Sequence, residues 1–180
     1  MSNMSSAKAK GFTLIELVVV IAVIGILTSI ALVTYAKIQA QSRDEQRKSD
    51  VVLITKALEQ YYSHNGEYPA GGGSSHINGS WSTSEEPASW QNLAAKLKPY
   101  LTQLPVDPTN TSTSSVINGS AYNYAYYAAI GGYYCGTTVT NQVFILVYRF
   151  ESAPQEDNFQ GDCSTNRLGP YSGSNYRVRK

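Results

Sequence analysis

An unbroken apolar run near the N-terminus constrains this 180-residue chain more than any other feature. The run extends from Phe12 to Val33 and contains a single charged residue, Glu16. At about 1.5 Å per residue, a helix over this run is about 33 Å long, which is enough to cross the hydrocarbon core of a bilayer. The run therefore predicts a membrane-spanning helix, placed here at residues 12–34.

The alternative interpretation of such a run is a secretory signal peptide. A signal peptide has an apolar core of roughly 7–15 residues, followed by a cleavage site of small residues. This run is longer, and Tyr35 and Lys37 follow it instead of an A-x-A site. A span that stays in the chain is therefore the favoured interpretation.

The basic residues on either side of the run do not settle its orientation in the membrane. Basic residues concentrate on the cytoplasmic side, so lysines in the leading segment favour a cytoplasmic N-terminus. That segment has two lysines, whereas four basic residues follow the run at close range: Lys37, Arg43, Arg47 and Lys48. A simple count favours the opposite orientation, and other observations must decide.

Glu16 is the anomaly within the run. A carboxylate at the centre of a membrane helix costs roughly 2.5–3.5 kcal/mol on insertion scales, and less near an end. Two interpretations stay open: the side chain extends to the interface, or it is kept for a partner. Phe12 and Glu16 lie four residues apart, on one helix face. If the chain were cut after Gly11, the new ammonium group of one copy would offset the carboxylate of a staggered neighbouring copy.

The segment Lys10–Glu16, KGFTLIE, resembles the class III signal of type IV pilins and of the related pseudopilins of type II secretion. The resemblance implies that a prepilin peptidase removes residues 1–11 by cleaving between Gly11 and Phe12. It also implies that an N-methyltransferase activity methylates Phe12, and that Glu16 sets subunit register. By the same resemblance, the N-terminus lies in the cytoplasm of a bacterial or archaeal cell, and the bulk lies outside in a single-pass topology.

Beyond the span, the sequence predicts that the same helix continues. No proline occurs between Phe12 and Pro69, and Asn65-Gly66 is a typical helix end. A helix from about Phe12 to about His64 is about 80 Å long. Its second half, residues 35–65, is amphipathic, with apolar residues at helical spacing: Val51, Ile54, Leu58 and Tyr61.

One stretch of this helix, Gln39 to Asp50, is polar almost throughout. A helix that is polar all round needs support from outside itself. The sequence does not show where that support comes from. The stripe that begins at Val51 is predicted to pack on a globular head, residues 66–180.

The head is predicted to be α+β, with a small antiparallel sheet packed on the long helix, as in type IV pilins. Residues 70–89 are Gly/Ser-rich and predict a loop, and a short helix is predicted to start at Ser89, capped by Ser89 or Ser84. Alternating side chains predict two paired strands, residues 122–130 and 142–150. A third, edge strand is predicted near residues 176–179.

The LP-x-DP pattern at Leu104–Pro108, followed by Y-x-Y, is similar to pilins and more closely to the major pseudopilins. In those proteins a nearby loop binds calcium, so Asp107, Asp157 and Asp162 are the acidic candidates here. Calcium prefers 6–8 oxygen ligands, and no stretch matches the family's loop residue by residue. The favoured interpretation is that Asp107 caps a turn, and no cofactor or metal is predicted.

Cys135 and Cys163 are the two cysteines of the chain. An even count in an exported head indicates a disulfide, and a pair of buried free thiols is the alternative. A disulfide here resembles the one that closes the C-terminal loop of type IV pilins.

The resemblance implies a structural protein that is not an enzyme and that polymerises with copies of itself. The favoured role is a subunit of a type IV pilus, made with an assembly platform and minor pilins. Alternatives are a pseudopilin of a type II secretion or DNA-uptake machine, and a minor tip pilin or adhesin. The adhesin would bind sugars through aromatic side chains such as Trp81, Tyr133 and Tyr134.

No catalytic or nucleic-acid signal competes with this interpretation. His64 and His76 are isolated, and the chain has no paired carboxylates, G-x-S-x-G or P-loop. A net charge of +1 indicates no nucleic-acid partner.

Overall fold

The computed structural model describes residues 12–75, 77, 79–111, 116–117, 121–128, 139–152 and 175–179. The chain divides into two compact units, Met1–Gln39 and Ala40–Lys180. The first helix, α1, extends from Leu14 to Asn65 and belongs to both units. The predicted long helix is therefore confirmed, with its start two residues later than expected.

The C-terminal end of α1 lies where the sequence placed it. Gly66 has a φ of +74°, and its N–H donates to the carbonyl of Tyr62 at 2.8 Å. A left-handed residue directly after a helix is a common helix end, and glycine adopts it without a Cβ penalty.

The second unit is built around the apolar stripe of α1. Val51, Ile54 and Leu58 are buried as predicted, and Tyr61 packs against the same core from the edge. The second helix, α2 (Pro87–Leu97), contributes its buried face to this core: Trp90, Leu93 and Leu97. The sheet contributes alternate residues of β2 and β3, together with Tyr124 just before β2: Tyr124, Tyr126, Ala128, Phe144, Leu146 and Tyr148.

The sheet has four antiparallel strands in the order β1-β2-β3-β4. Their bounds are Ser82–Thr83, Ala125–Ala128, Phe144–Tyr148 and Asn175–Arg179. Strands β2 and β3 lie within the two predicted runs and pair directly, with Tyr126 opposite Leu146. The predicted edge strand is confirmed as β4, which pairs with β3.

Both faces of the sheet are covered. The odd-numbered residues Val143, Ile145 and Val147 of β3 and its flank face away from α1 into a second apolar core. Its other buried members are Trp81, Val116 and Ala125. Trp81 stacks on Tyr127, with ring centroids 5.1 Å apart. Strands buried on both faces are typically apolar throughout, as the sequence FILVY of β3 is.

Two local predictions in residues 70–89 are wrong. The segment contains β1, whose two residues pair with Tyr126 and Ala125. Two residues are too short to show an alternating pattern, and both side chains are small and polar. The cap of α2 also differs: Glu86 is the N-cap residue and makes no side-chain cap bond. Pro87 starts the helix, since its missing N–H needs no acceptor.

Ser89 has another role than the predicted cap. Its hydroxyl accepts from the backbone N–H of Thr83 at 3.0 Å and donates to the backbone carbonyl of Thr83 at 3.2 Å. It therefore fastens the first turn of α2 to β1. The hydroxyl of Ser84, the other predicted cap, donates to Asn110 at 2.8 Å instead.

Candidate functional site

The first unit carries a continuous exposed apolar surface. From Phe12, just before α1, to Leu27, the large apolar side chains are between 49% and 90% exposed. Among the described residues, α1 alone is long and apolar enough to cross a membrane, judged by its length and composition. Apolar patches of this extent normally mark a membrane or protein interaction. We refer to residues 12–27 as the exposed apolar segment.

Two hydroxyl groups just beyond this segment are satisfied by their own helix. The hydroxyl of Thr28, one residue beyond it, donates to the carbonyl of Ile24 at 2.8 Å. The hydroxyl of Ser29 donates to the carbonyl of Ile26 at 2.7 Å. A hydroxyl that is already bonded to its own helix enters an apolar environment at lower cost.

Glu16 is part of a capping box at the start of α1. Its Oε2 accepts from the backbone N–H of Thr13 at 2.8 Å and from the Thr13 hydroxyl at 2.7 Å. In return, the N–H of Glu16 donates to the Thr13 hydroxyl oxygen at 3.3 Å. The T-x-x-E pattern at Thr13–Glu16 is the sequence signal that predicts this arrangement.

The second unit contains a buried ionic cluster that joins α1 to the head. Its centre is Arg47, which is fully buried. Its Nε and Nη2 donate to the two carboxylate oxygens of Asp107 at 2.7 and 2.9 Å. Its Nη1 donates to Asp44 at 2.8 Å, and its Nη2 also donates to the Thr109 hydroxyl oxygen at 2.9 Å. Glu151 lies 2.8 Å from the same Nη2.

The same cluster holds the chain where it leaves β3. The carboxylate of Asp44 accepts from the backbone N–H groups of Glu151 and Ser152, each at 2.8 Å, and from the Ser152 hydroxyl at 2.6 Å. Arg43 donates from Nε to Glu151 at 2.7 Å and makes a second bond through Nη2. We call these six side chains the Arg47 cluster: Arg43, Asp44, Arg47, Asp107, Thr109 and Glu151.

Charge pairing controls the pKa values in this cluster. Hydrogen bonds from Arg43, and further bonds from Arg47, outweigh burial and lower the pKa of Glu151 to about 2. Burial acts to raise the pKa of Asp44, but its bonds from Ser152, Glu151 and Arg47 leave that pKa below its ordinary value. Burial likewise opposes the charged form of Arg47, yet its bonds to Asp107 leave the pKa of the guanidinium raised.

In the neighbouring buried pair of Asp50 and Tyr124, the effect of burial on the pKa of Asp50 is larger than the effect of the hydrogen bond. Asp50 is 8% exposed, and the hydroxyl of Tyr124 donates to its Oδ2 at 2.9 Å. Burial raises the pKa of Asp50, and this single neutral donor only partly compensates. Burial is also the main cause that raises the pKa of Tyr124.

The Arg47 cluster supplies the support that the polar stretch of α1 requires. The sequence did not predict this cluster, because charged residues on a helix usually indicate a solvated face. A spacing signal existed: Asp44, Arg47 and Asp50 recur every three residues and continue the line of the apolar stripe through Val51 and Ile54.

The structure locates some of the predicted site residues. Phe12 is 90% exposed and lies just before α1. Asp107 does cap a turn, because its Oδ1 accepts from the N–H of Thr109 at 2.8 Å. Trp81 is buried, so it is not a surface platform for a sugar. The remaining predicted residues lie outside the described part of the chain: Gly11, Tyr133, Tyr134, Cys135, Asp157, Asp162 and Cys163.

Comparisons with known proteins find similarity over two different lengths of the chain. A family model described as "Prokaryotic N-terminal methylation motif" matches residues 6–32. The type II secretion system core protein G of Escherichia coli (strain K12) is 31% identical over 103 residues, which are 56% of this chain and 67% of that relative.

Pilins match over a shorter region. The type IV major pilin protein PilA of Myxococcus xanthus is 39% identical over 59 residues, or 33% of this chain and 27% of that pilin. The fimbrial protein EcpC of Eikenella corrodens is 46% identical over 61 residues, or 34% of this chain and 40% of that protein. The chain thus matches less than half the length of these pilins. No solved structure matches the chain significantly.

Proposed function

This chain belongs to the family of type IV pilins and type II secretion pseudopilins, and from that premise we propose that it is a structural subunit of a type IV pilus. The exposed apolar segment carries the proposal. A helix segment that has no apolar partner on any side within the described part of the chain must be covered either by lipid or by other helices. A subunit that is stored in the membrane and then polymerises meets both conditions in turn.

Processing prepares the segment for polymerisation in this proposal. A prepilin peptidase cleaves between Gly11 and Phe12, and the new amino group of Phe12 is methylated. The removal of Lys8 and Lys10 with the leader leaves a single ammonium group at the end of the helix. The N-terminus faces the cytoplasm, and residues 66–180 form the head outside.

Glu16 sets the axial register between subunits. Its capping box engages Oε2, and among the described residues no bond to Oε1 is seen. The carboxylate is therefore held at the start of the helix with one oxygen available for the ammonium group of a neighbouring copy. The pairing offsets the cost of both charges in an apolar surrounding, which makes one stagger more favourable than others.

A pseudopilin is the second candidate, and a specific observation favours it. The similarity to the core protein G extends over 103 residues, well beyond the N-terminal region that the pilins share. The LP-x-DP pattern agrees with that similarity. The tyrosine-rich head, the low charged fraction of the chain as a whole (15%) and the cysteine pair favour a surface pilus instead. Electron microscopy of cells distinguishes the two, since only a pilus forms long surface fibres.

The register role is tested with Glu16→Ala in the full chain, expressed with its own assembly proteins. We expect mass spectrometry to find normal cleavage and methylation. The yield of sheared filaments is expected to fall at least about tenfold, which corresponds to about 1.4 kcal/mol in an equilibrium. Glu45→Ala is the matched control, because Glu45 is an exposed carboxylate on the same helix and is expected to leave filaments unchanged. Normal filaments from Glu16→Ala would reject the register role.

A further inference from the structure

The oxygens around Arg47 resemble the ligand set of a hard cation. Five oxygens from four side chains lie within hydrogen-bond distance of its guanidinium: Asp107 Oδ1 and Oδ2, Asp44 Oδ1, Glu151 Oε1 and Thr109 Oγ1. Three of the four side chains are carboxylates. They come from α1, from the loop after α2 and from the end of β3, so a cation at their centre ties three parts of the second unit together.

Asp107 is the one acidic calcium candidate that lies among the described residues, and its carboxylate already binds this guanidinium. Both of its carboxylate oxygens accept bonds from Arg47, and Oδ1 also accepts from the backbone N–H groups of Thr109 and Asn110 at 2.8 and 3.2 Å. A calcium ion bound to Asp107 would have to displace a fully buried, hydrogen-bonded guanidinium. The described residues therefore do not fit a metal at Asp107 while Arg47 is in place.

We propose that Arg47 is a built-in cation, which holds the loop at Asp107 and the chain at Glu151 on α1 without a metal. A guanidinium has five N–H donors in a fixed plane, and it satisfies several carboxylates at once. The proposal is independent of the filament role, because it concerns only the second unit. It has a converse: without the guanidinium, the same oxygens would form a site for calcium, which accepts irregular oxygen ligand sets.

The first test uses the unaltered full chain in detergent. Thermal unfolding of the head is followed by tryptophan fluorescence, with millimolar EDTA in one sample and millimolar calcium chloride in the other. Because Arg47 already occupies the cluster, the melting temperature is expected to be the same in both. A clear rise in the melting temperature with calcium would overturn the proposal.

The second test removes the guanidinium with Arg47→Met, which preserves most of the side-chain length. Asp44 and Asp107 then lose their shared counter-charge, while Glu151 keeps only Arg43, and in EDTA the melting temperature is expected to fall by on the order of 10 °C. Calcium is expected to restore about 5 °C of that loss. Magnesium should restore less, since it demands near-octahedral geometry.

Two matched variants keep this test decisive. Arg43→Met removes the other guanidinium, which is more exposed, and should cost only about 2 °C without a calcium response. Arg47→Lys retains the charge but loses the planar fork, so it should fold with an intermediate melting temperature even if Arg47→Met does not fold. The proposal is wrong if Arg47→Lys and Arg43→Met are equally stable, or if a folded Arg47→Met gains nothing from calcium.

Discussion

Two stretches of α1 differ in what surrounds their side chains. The exposed apolar segment, residues 12–27, has large apolar side chains on every side of α1 and none of them is covered within the described chain. Residues 44–58 place Val51, Ile54 and Leu58 in the core of the second unit and bury Arg47 among carboxylates. The secondary structure is the same, so the difference lies in what covers it. The second stretch is covered by its own chain, whereas the first requires lipid or other copies.

The largest expected effect comes from a matched pair of truncations, Ile54→Ala and Ile24→Ala. Ile54 is fully buried, whereas Ile24 is 53% exposed. Ile54→Ala should lower the unfolding free energy of the head by about 3–4 kcal/mol through lost burial and a cavity. Ile24→Ala should leave that free energy unchanged and reduce filament yield instead.

Urea unfolding of the full chain in detergent, followed by tryptophan fluorescence, measures the first effect. Both tryptophans lie in the second unit, so the signal reports the head alone. Equal destabilisation by the two variants would contradict the division of α1 that is described above.

The next largest effect is a loss of stability of the head in acid, caused by protonation of Glu151, which pairs with Arg43 and Arg47 of α1. Its pKa is lowered to about 2 in the folded chain, whereas the pKa of a glutamate in an unfolded chain is about 4.3. A lowered pKa means that the ionised form stabilises the fold above the unfolded value and that this stability is lost as the pH falls. We expect a loss of about 2 kcal/mol between about pH 4.5 and about pH 2.

Glu151→Gln tests this origin of the acid response. The variant should be less stable at neutral pH but should lose less stability on acidification, because the titrating group is gone. Unfolding midpoints of both proteins across the acid range give the comparison. Parallel pH profiles would exclude Glu151 as the source.

A smaller effect is expected from Tyr124→Phe. The variant removes the Tyr124 hydroxyl that donates to buried Asp50, and should cost about 1–2 kcal/mol at neutral pH. The pKa of Asp50 is already raised by burial and should rise further. Since the protonated form of Asp50 tolerates burial better, the penalty should shrink as the pH falls. A pH-independent penalty would indicate lost packing instead.

The smallest effect should come from Lys48→Ala. Lys48 pairs with Glu45 at 2.7 Å, with side chains 54% and 71% exposed. Exposed pairs contribute little because water screens them, so the unfolding free energy should change by less than about 0.5 kcal/mol. A change above about 1 kcal/mol would show that this face of α1 is covered more than the structure indicates.

Local patterns in the sequence predicted most of the fold. The absence of proline up to Pro69 and the stripe from Val51 predicted α1, and alternating side chains predicted β2 and β3. What they missed was short or non-local. Strand β1 has two residues and no period, and the cap of α2 depends on Pro87. The partners of Arg47, at Asp107 and Glu151, are 60 and 104 positions away along the chain.

The sequence by itself determined the apolar span, the cleavage-like motif before Phe12 and the helical continuity to Asn65. These features depend on composition and on spacings of a few residues, which secondary structure converts directly into geometry. The tertiary structure decided which charges of α1 are buried and what neutralises them. Burial depends on which distant segments fold against the helix, so only the assembled head shows that Arg47 is an interior cation rather than a surface charge.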